Sequence, residues 1–397
     1  MSSSTANPYN LLPSGEPAKA ESSIAREPDP ARSQQNRKPR LYVIDLLRFG
    51  AAALVLSYHL FRLDIWDAEE FGTGNPWLHA LGKIPDYGWM GVELFFMISG
   101  FVICMSNWGR SLSDFFISRT TRLLPAYVFA VLLTAALLFA FRDEGVDGPP
   151  LTAILGNLTM IQGVLGVPLL DHSYWTLMVE LMFYLCFATL VVFGLTYKRV
   201  VAFCVLYTTI SLIAQSSKES FLTVLTRPDY TSFFVFGVIL YLMYRFGGNI
   251  LLTGILTASG ILCSISLSHH VDEHIVVGER VNFTVALPIL CGFFVVMVAV
   301  AKGWLNWIQA PSLVLVGALT YPLYLLHQTN GHIAIRLLRD DVPPWLLLTC
   351  IVAGLIVLSY GIHVFIEKPV GSAMRRSLQA SFAQMRASER KSAGHPG

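Results

Sequence analysis

Ten apolar runs divide this chain, each close to the length that crosses a bilayer. They fall at about 41–62, 88–107, 123–141, 173–196, 199–215, 230–246, 249–268, 282–301, 312–337 and 345–366. A hydrocarbon core about 30 Å thick takes about 20 apolar helical residues to cross. Backbone groups inside it must be satisfied within the segment, so runs of this kind span as helices. Composition agrees: of 397 residues, 54% are hydrophobic and 14% charged, with a mean hydropathy of +0.56. The expected fold is an all-α polytopic membrane protein of about ten transmembrane helices.

Loop charge orients the spans. Arg37, Lys38 and Arg40 precede the first run, and Arg110, Arg119 and Arg122 lie between the second and third. Lys198 and Arg199, Arg245, Lys302, and Lys368, Arg375 and Arg376 fall on the same side. The other side receives Asp64, Asp67, Glu69 and Glu70, then Asp143, Glu144 and Asp147, then Asp272 and Glu273, then Asp340 and Asp341. Basic loops stay in the cytosol, so both termini are expected there. Residues 1–40 are rich in Ser, Pro, Ala and Arg and lack an apolar h-region. They are expected to be a disordered cytosolic tail rather than a cleaved signal peptide. The membrane domain is expected over 41–369 and a cytosolic C-terminal tail over 370–397. The stretch 151–168, with Gly156, Asn157, Gln162, Gly163, Gly166 and Pro168, is expected to be re-entrant or surface-lying.

Several functions drop out. A net charge of +2 and the lack of a basic, aromatic-interleaved surface give nucleic acid no footprint. The six cysteines stand singly in apolar runs, without metal-ligand or disulfide spacing. His269, His270 and His274, with Asp272, form a cluster in an outer loop that has weak support as a metal site and reads better as solvated loop histidines, so no metal is expected. There is no G-x-S-x-G elbow, Walker A motif or G-x-G-x-x-G motif.

The informative residues are ionisable groups inside the apolar runs, where charge is expensive and usually functional. The first run carries Asp45, Arg48 and His59. Arg48 and His59 are eleven residues apart, about three turns and roughly 16 Å, on nearly one face. Asp45 stands three residues before Arg48, close enough to pair with it. The second run contains Glu93, with Gly91, Ser99 and Gly100 as small packing positions. Arg119 and Arg122 lie one turn apart and can grip one anionic group together. Glu180, beside Trp175 and Tyr184, reads as a pocket wall. His327 is either a second titrating group or a core histidine bonded to a carbonyl. The expected topology sorts these groups into two layers: His59, Glu93, Glu180 and His327 outside, and Arg48, Arg119 and Arg122 inside. A base-plus-carboxylate cluster above a cationic cluster suits transfer from an anionic cytosolic donor to an outer acceptor. A secondary transporter or flippase also needs intramembrane His, Glu and Arg and is the competing class, although internal repeats are absent. A non-catalytic membrane partner is the third.

Six blocks in order resemble the acyltransferase-3 family of integral membrane O-acyltransferases, which O-acetylate bacterial surface polysaccharides. The first is Ile44 to His59, including its Arg-x10-His spacing. Then come Gly91-Val92-Glu93-Leu94-Phe95-Phe96 with Ser99-Gly100-Phe101, Arg119-Thr120-Thr121-Arg122-Leu123-Leu124-Pro125, and Trp175 to Glu180. Tyr324-Leu325-Leu326-His327 and Ile366-Glu367-Lys368-Pro369 close the series. Leu181 and Met182 stand where the family has a second Glu and a Gln, Glu93 replaces Asp, and Leu47 and Phe49 replace the glycines flanking the arginine. The resemblance implies ten helices in a bacterial inner membrane and a cytosolic acyl-CoA donor, usually acetyl-CoA. It also implies a sugar hydroxyl as acceptor, on exopolysaccharide, lipopolysaccharide or a lipid-linked sugar. It implies essential roles for Arg48 and His59, with Arg119 and Arg122 at the donor site. His59, Glu93 and Glu180 are then the expected catalytic groups, and Asp45, Trp175, Tyr184 and His327 the expected pocket residues.

Overall fold

The apolar runs fold as helices, and helices are the regular structure found among the described residues. The structure is a computed structural model. It describes residues 41–62, 84–142, 148–217, 220–279 and 281–393. The expected tail 1–40 and the acidic clusters at 64–70 and 143–147 lie outside those residues. In order the elements are α1 (Tyr42–Leu60), a 3-10 turn (Pro85–Met90), α2 (Gly91–Asn107), α3 (Leu112–Ala140), α4 (Leu151–Leu158) and α5 (Tyr174–Val192). There follow α6 (Tyr197–Ser217), α7 (Ser220–Thr226), α8 (Pro228–Phe246), α9 (Ile250–Val276) and α10 (Phe283–Ala301). Last come α11 (Ser312–Leu326), α12 (Thr329–Leu338), α13 (Pro344–Ile362), a π turn (His363–Glu367) and α14 (Lys368–Ala393).

Several starts are written in the sequence. Ser111 and Asp114 form a capping box at α3, and Asn249 and Asn282 accept backbone hydrogen bonds at the N-termini of α9 and α10. Among the described residues, eight helical segments are long and apolar enough to cross a membrane. The two other expected spans are α8, whose residues Thr231–Leu242 are all buried inside the protein, and α11, only 15 residues long. The molecule is an all-α multi-pass membrane protein.

Two glycines set the tightest contact. At the crossing of α2 and α8, a side chain on Gly100 would collide with the carbonyl of Phe234, and one on Gly237 with the carbonyl of Met97. Small residues let helix backbones meet where apolar lipid gives no hydrophobic drive to associate. Phe101, Phe234 and Phe183 pack around this crossing, the last two stacked at 4.1 Å. A second core, around Tyr127, Tyr174 and Leu323, joins α3, α5, α11 and α13.

Two sequence expectations change, for the ninth run and for the histidines near 270. The ninth run is not one helix: it breaks after Leu326, and α12 restarts at Thr329, whose N–H donates to the buried Asp171 carboxylate at 2.9 Å. The polar residues from His327 to Asn330 favour this break. The segment 151–168, expected to be re-entrant or surface-lying, holds the eight-residue α4, about 12 Å long at helical rise and too short to cross. Within the expected C-terminal tail the described residues are helical: α14 lies along α3, with Phe382 6.3 Å from Phe116. The histidines assigned to an outer loop belong to α9, because that helix runs on to Val276, and His270 is buried.

A carboxylate clamp ties α9 back to α1. Glu279 accepts from Tyr58 at 2.7 Å, Arg62 at 2.5 Å and His274 at 2.7 Å. Burial pushes the Glu279 carboxyl up, but the hydrogen bonds from His274, Tyr58 and Arg62 outweigh it and hold it at about 2.

Two outcomes follow for stability. Gly237→Ala should lower unfolding stability in detergent by about 1–3 kcal/mol, since backbone cannot move aside for the new methyl; thermal unfolding would read it. A depressed carboxyl stabilises the fold above its ordinary value of 4.5 and loses that contribution as pH falls toward 2. The melting-temperature advantage of wild type over Glu279→Gln should therefore hold from pH 7 to about pH 5 and shrink below pH 4.5.

Candidate functional site

Two cavities lie one above the other between the helices. The upper one encloses about 570 Å³ and is walled by α1, the 3-10 turn, α8, α9, α12 and the loop before α5. The lower one is narrower, about 60 Å³, between α1, α2, α3, α5 and α11. Val92 and Tyr324 line both, so the two meet there. Tyr324 is fixed at this junction by a 2.7 Å hydrogen bond between its hydroxyl and that of Thr176.

The upper cavity is a ring of imidazoles and aromatic faces. His59 reaches it from α1, edge-on to Tyr58 at 4.8 Å, with the rings of His327 at 5.2 Å and His332 at 6.5 Å. No hydrogen bond joins the His59 ring to another described residue. Its backbone carbonyl accepts from His332 at 2.8 Å. Glu93 is 1% exposed and takes a 3.2 Å hydrogen bond from His270; its second oxygen has no partner among the described residues. Trp175 packs on Tyr230 at 5.1 Å, Tyr230 stacks on His270, and Trp89 stacks on His274 at 4.4 Å. Arg227 enters the wall from a left-handed backbone, φ 47°, directly before Pro228. That conformation is costly for a non-glycine residue and is typical of functional sites.

The lower cavity is cationic around one carboxylate. Arg48 and Arg122 line it and make no hydrogen bond or ion pair among the described residues. Arg119 is buried and already engaged: it donates to Ser106 at 2.6 Å and Tyr184 at 3.4 Å and lies over the Tyr184 ring at 5.3 Å. Glu180 accepts from Ser99 at 2.6 Å and from Tyr184 at 2.5 Å.

The residues singled out in the sequence therefore divide. His59, Glu93 and Trp175 line the upper cavity; Arg48, Arg119, Arg122, Glu180 and Tyr184 line the lower. Glu180 is one layer deeper than its sequence position suggests. The loop before α5 is sunk into the protein, with Asp171 and Ser173 buried, so α5 begins well inside the fold. Neither Asp45 nor His327 lines either of these two cavities. The Asp45 carboxylate lies over Gly317 of α11, where any side chain would strike it. His327 is 1% exposed and lies behind His59, its Nδ1 donating to the Tyr324 carbonyl at 2.7 Å. His172, Arg227, His270, His332 and Tyr324 join the walls without having been singled out as site residues. The i, i+4 spacing of His270 and His274 was their one legible signal, since it puts both on one helix face.

Imidazoles lining a cavity of about 570 Å³ can take a proton from a hydroxyl, and two guanidiniums with no described partner can hold phosphate. The comparisons with known proteins fit such a site. No solved structure matches the chain. The acyltransferase MdmB of Streptomyces mycarofaciens is 26% identical over 157 residues, 38% of this chain and 39% of that protein. The similarity thus spans well under half of the relative's length. The profile described as an acyltransferase domain, acyltransferase-3, matches residues 41–364, from the start of α1 to the π turn. On that match the chain belongs to the acyltransferase-3 family.

Proposed function

We propose that the protein is a membrane O-acyltransferase that moves an acyl group, acetyl in the first instance, from cytosolic acyl-CoA to a hydroxyl of an extracytoplasmic carbohydrate. One observation carries this reading: a cationic lower cavity and an imidazole-walled upper cavity meet at Val92 and Tyr324. The inner membrane of a bacterium, both termini cytosolic and ten spans complete the proposal.

Arg48 and Arg122 bind the phosphates of the donor, and Arg119, spent on Ser106 and Tyr184, stiffens that wall. The pantetheine arm rises past Tyr324, carrying the thioester to the base of the upper cavity. The acceptor sugar lies against Trp175, Tyr230 and Trp89, whose flat faces suit pyranose C–H surfaces. His59 accepts the proton of the acceptor hydroxyl as its oxygen attacks the thioester carbonyl. The carbon–sulfur bond breaks, and the His59 proton passes to the departing sulfur, leaving CoA as the thiol. General base catalysis of this kind requires an imidazole in its neutral form near working pH. No serine or cysteine intermediate is needed, so transfer is direct.

The test uses purified protein in lipid vesicles with acetyl-CoA and a polysaccharide acceptor. His59→Ala should lose about 10²–10⁴-fold in turnover while binding donor normally, the usual scale for a general base. Arg122→Ala should raise the donor KM about tenfold at low salt, with the gap narrowing as salt screens the phosphates. Unchanged turnover in His59→Ala would sink the mechanism. Saturable substrate flux without acyl transfer would turn the reading to a transporter.

A further inference from the structure

Catalytic imidazoles need a group to fix their tautomer and orientation, and a carboxylate usually fills that role. None of the described carboxylates does so for His59. Glu93 is bonded to His270, Glu180 lies in the lower cavity with Ser99 and Tyr184, and Asp171 is spent on Ser173 and Thr329. The ring nearest His59 across the protein interior is His327, at 5.2 Å and inclined by 50°.

The chemistry of His327 is fixed by its surroundings. Its Nδ1 lies 2.7 Å from the Tyr324 carbonyl oxygen, which can only accept, so Nδ1 carries the proton. In the neutral ring Nε2 is then a bare acceptor. It is buried and has no partner among the described residues. Buried acceptors of this kind are rare, and each needs a cause. The ring separation suits one: a ~3 Å N–H···N bond plus two ring radii spans this distance. A rotation of the His59 ring would close it.

We infer that His327 is the positioning residue of His59: its Nε2 accepts the His59 N–H and turns the other His59 nitrogen, as a lone pair, toward the acceptor hydroxyl. This rests on the acyltransferase reading above and deepens it. His327 never touches substrate. When His59 takes up the hydroxyl proton, the bond to His327 strengthens because the donor becomes cationic. His332 holds the backbone of His59 through its carbonyl, so the ring alone is left for His327 to orient.

The experiment compares wild type, His327→Asn and His327→Gln for kcat and donor KM in vesicles. Asn keeps an amide N–H near the Nδ1 position, so the Tyr324 bond survives, but places nothing at Nε2. Gln reaches the Nε2 position with an acceptor oxygen. His327→Asn should lose about 100-fold in kcat, as when a catalytic histidine loses its orienting partner, with donor KM within about twofold. His327→Gln should recover to within about tenfold of wild type. A His327→Asn kcat within threefold of wild type, or equal losses in both variants, would overturn the proposal. So would loss of donor binding in both, which would make the ring a packing element. A wild type that transfers no acyl group overturns the acyltransferase reading itself, and this proposal falls with it.

Discussion

A charge left facing hydrocarbon is the costliest thing a membrane helix can carry, and the arrangement of this molecule follows from avoiding it. Its intramembrane polar groups turn inward and are paired or line a cavity. Glu93 is held by His270, Glu180 by Ser99 and Tyr184, and Arg119 by Ser106 and Tyr184. Arg48, Arg122 and His59, which keep their hydrogen-bonding capacity, face cavities instead. A bundle that must gather so many polar side chains along one axis has little freedom in where its helices stand. The two-cavity layout is a direct expression of that restriction.

Close helix approach makes the gathering possible. Gly100 and Gly237 let α2 and α8 touch backbone to backbone, and Ser99, the residue before Gly100, is thereby pressed toward α5. Its hydroxyl then reaches Glu180 at 2.6 Å. A looser crossing would lengthen that bond and leave the Glu180 carboxylate to Tyr184 alone at membrane depth. Packing and electrostatics are therefore one constraint at this point: the residue type that permits the contact stands beside the residue that uses it.

The membrane fold was legible because hydrophobic length is a local property, readable run by run. The layering of Arg48 and His59 was legible for a similar reason, since helical rise alone separates them. Burial of loops was not. Nothing in Asp171-His172-Ser173 announces that the segment sinks into the protein, yet that depth moves Glu180 from the expected outer layer to the lower cavity. The same blindness hid His270, whose helix runs two turns past its apolar stretch. It also hid the break at His327, where a carboxylate from a distant loop caps the new helix. Partners supplied by other elements leave no trace in the local pattern.

Tyr324 shows how few residues hold the two layers in register. Its side chain lines both cavities, its hydroxyl is pinned to Thr176 on α5, and its carbonyl fixes the tautomer of His327 behind His59. Because α11 ends two residues later, the backbone at Tyr324 can offer its carbonyl to a side chain instead of to the next turn. The helix end is thus part of the chemistry in the proposed reading. Were α11 to run on through Gln328 as the sequence pattern suggests, that carbonyl would be shared with the Gln328 backbone N–H. The His327 proton would then be held by a divided acceptor, and in the proposed reading the imidazole beside it would be less firmly oriented.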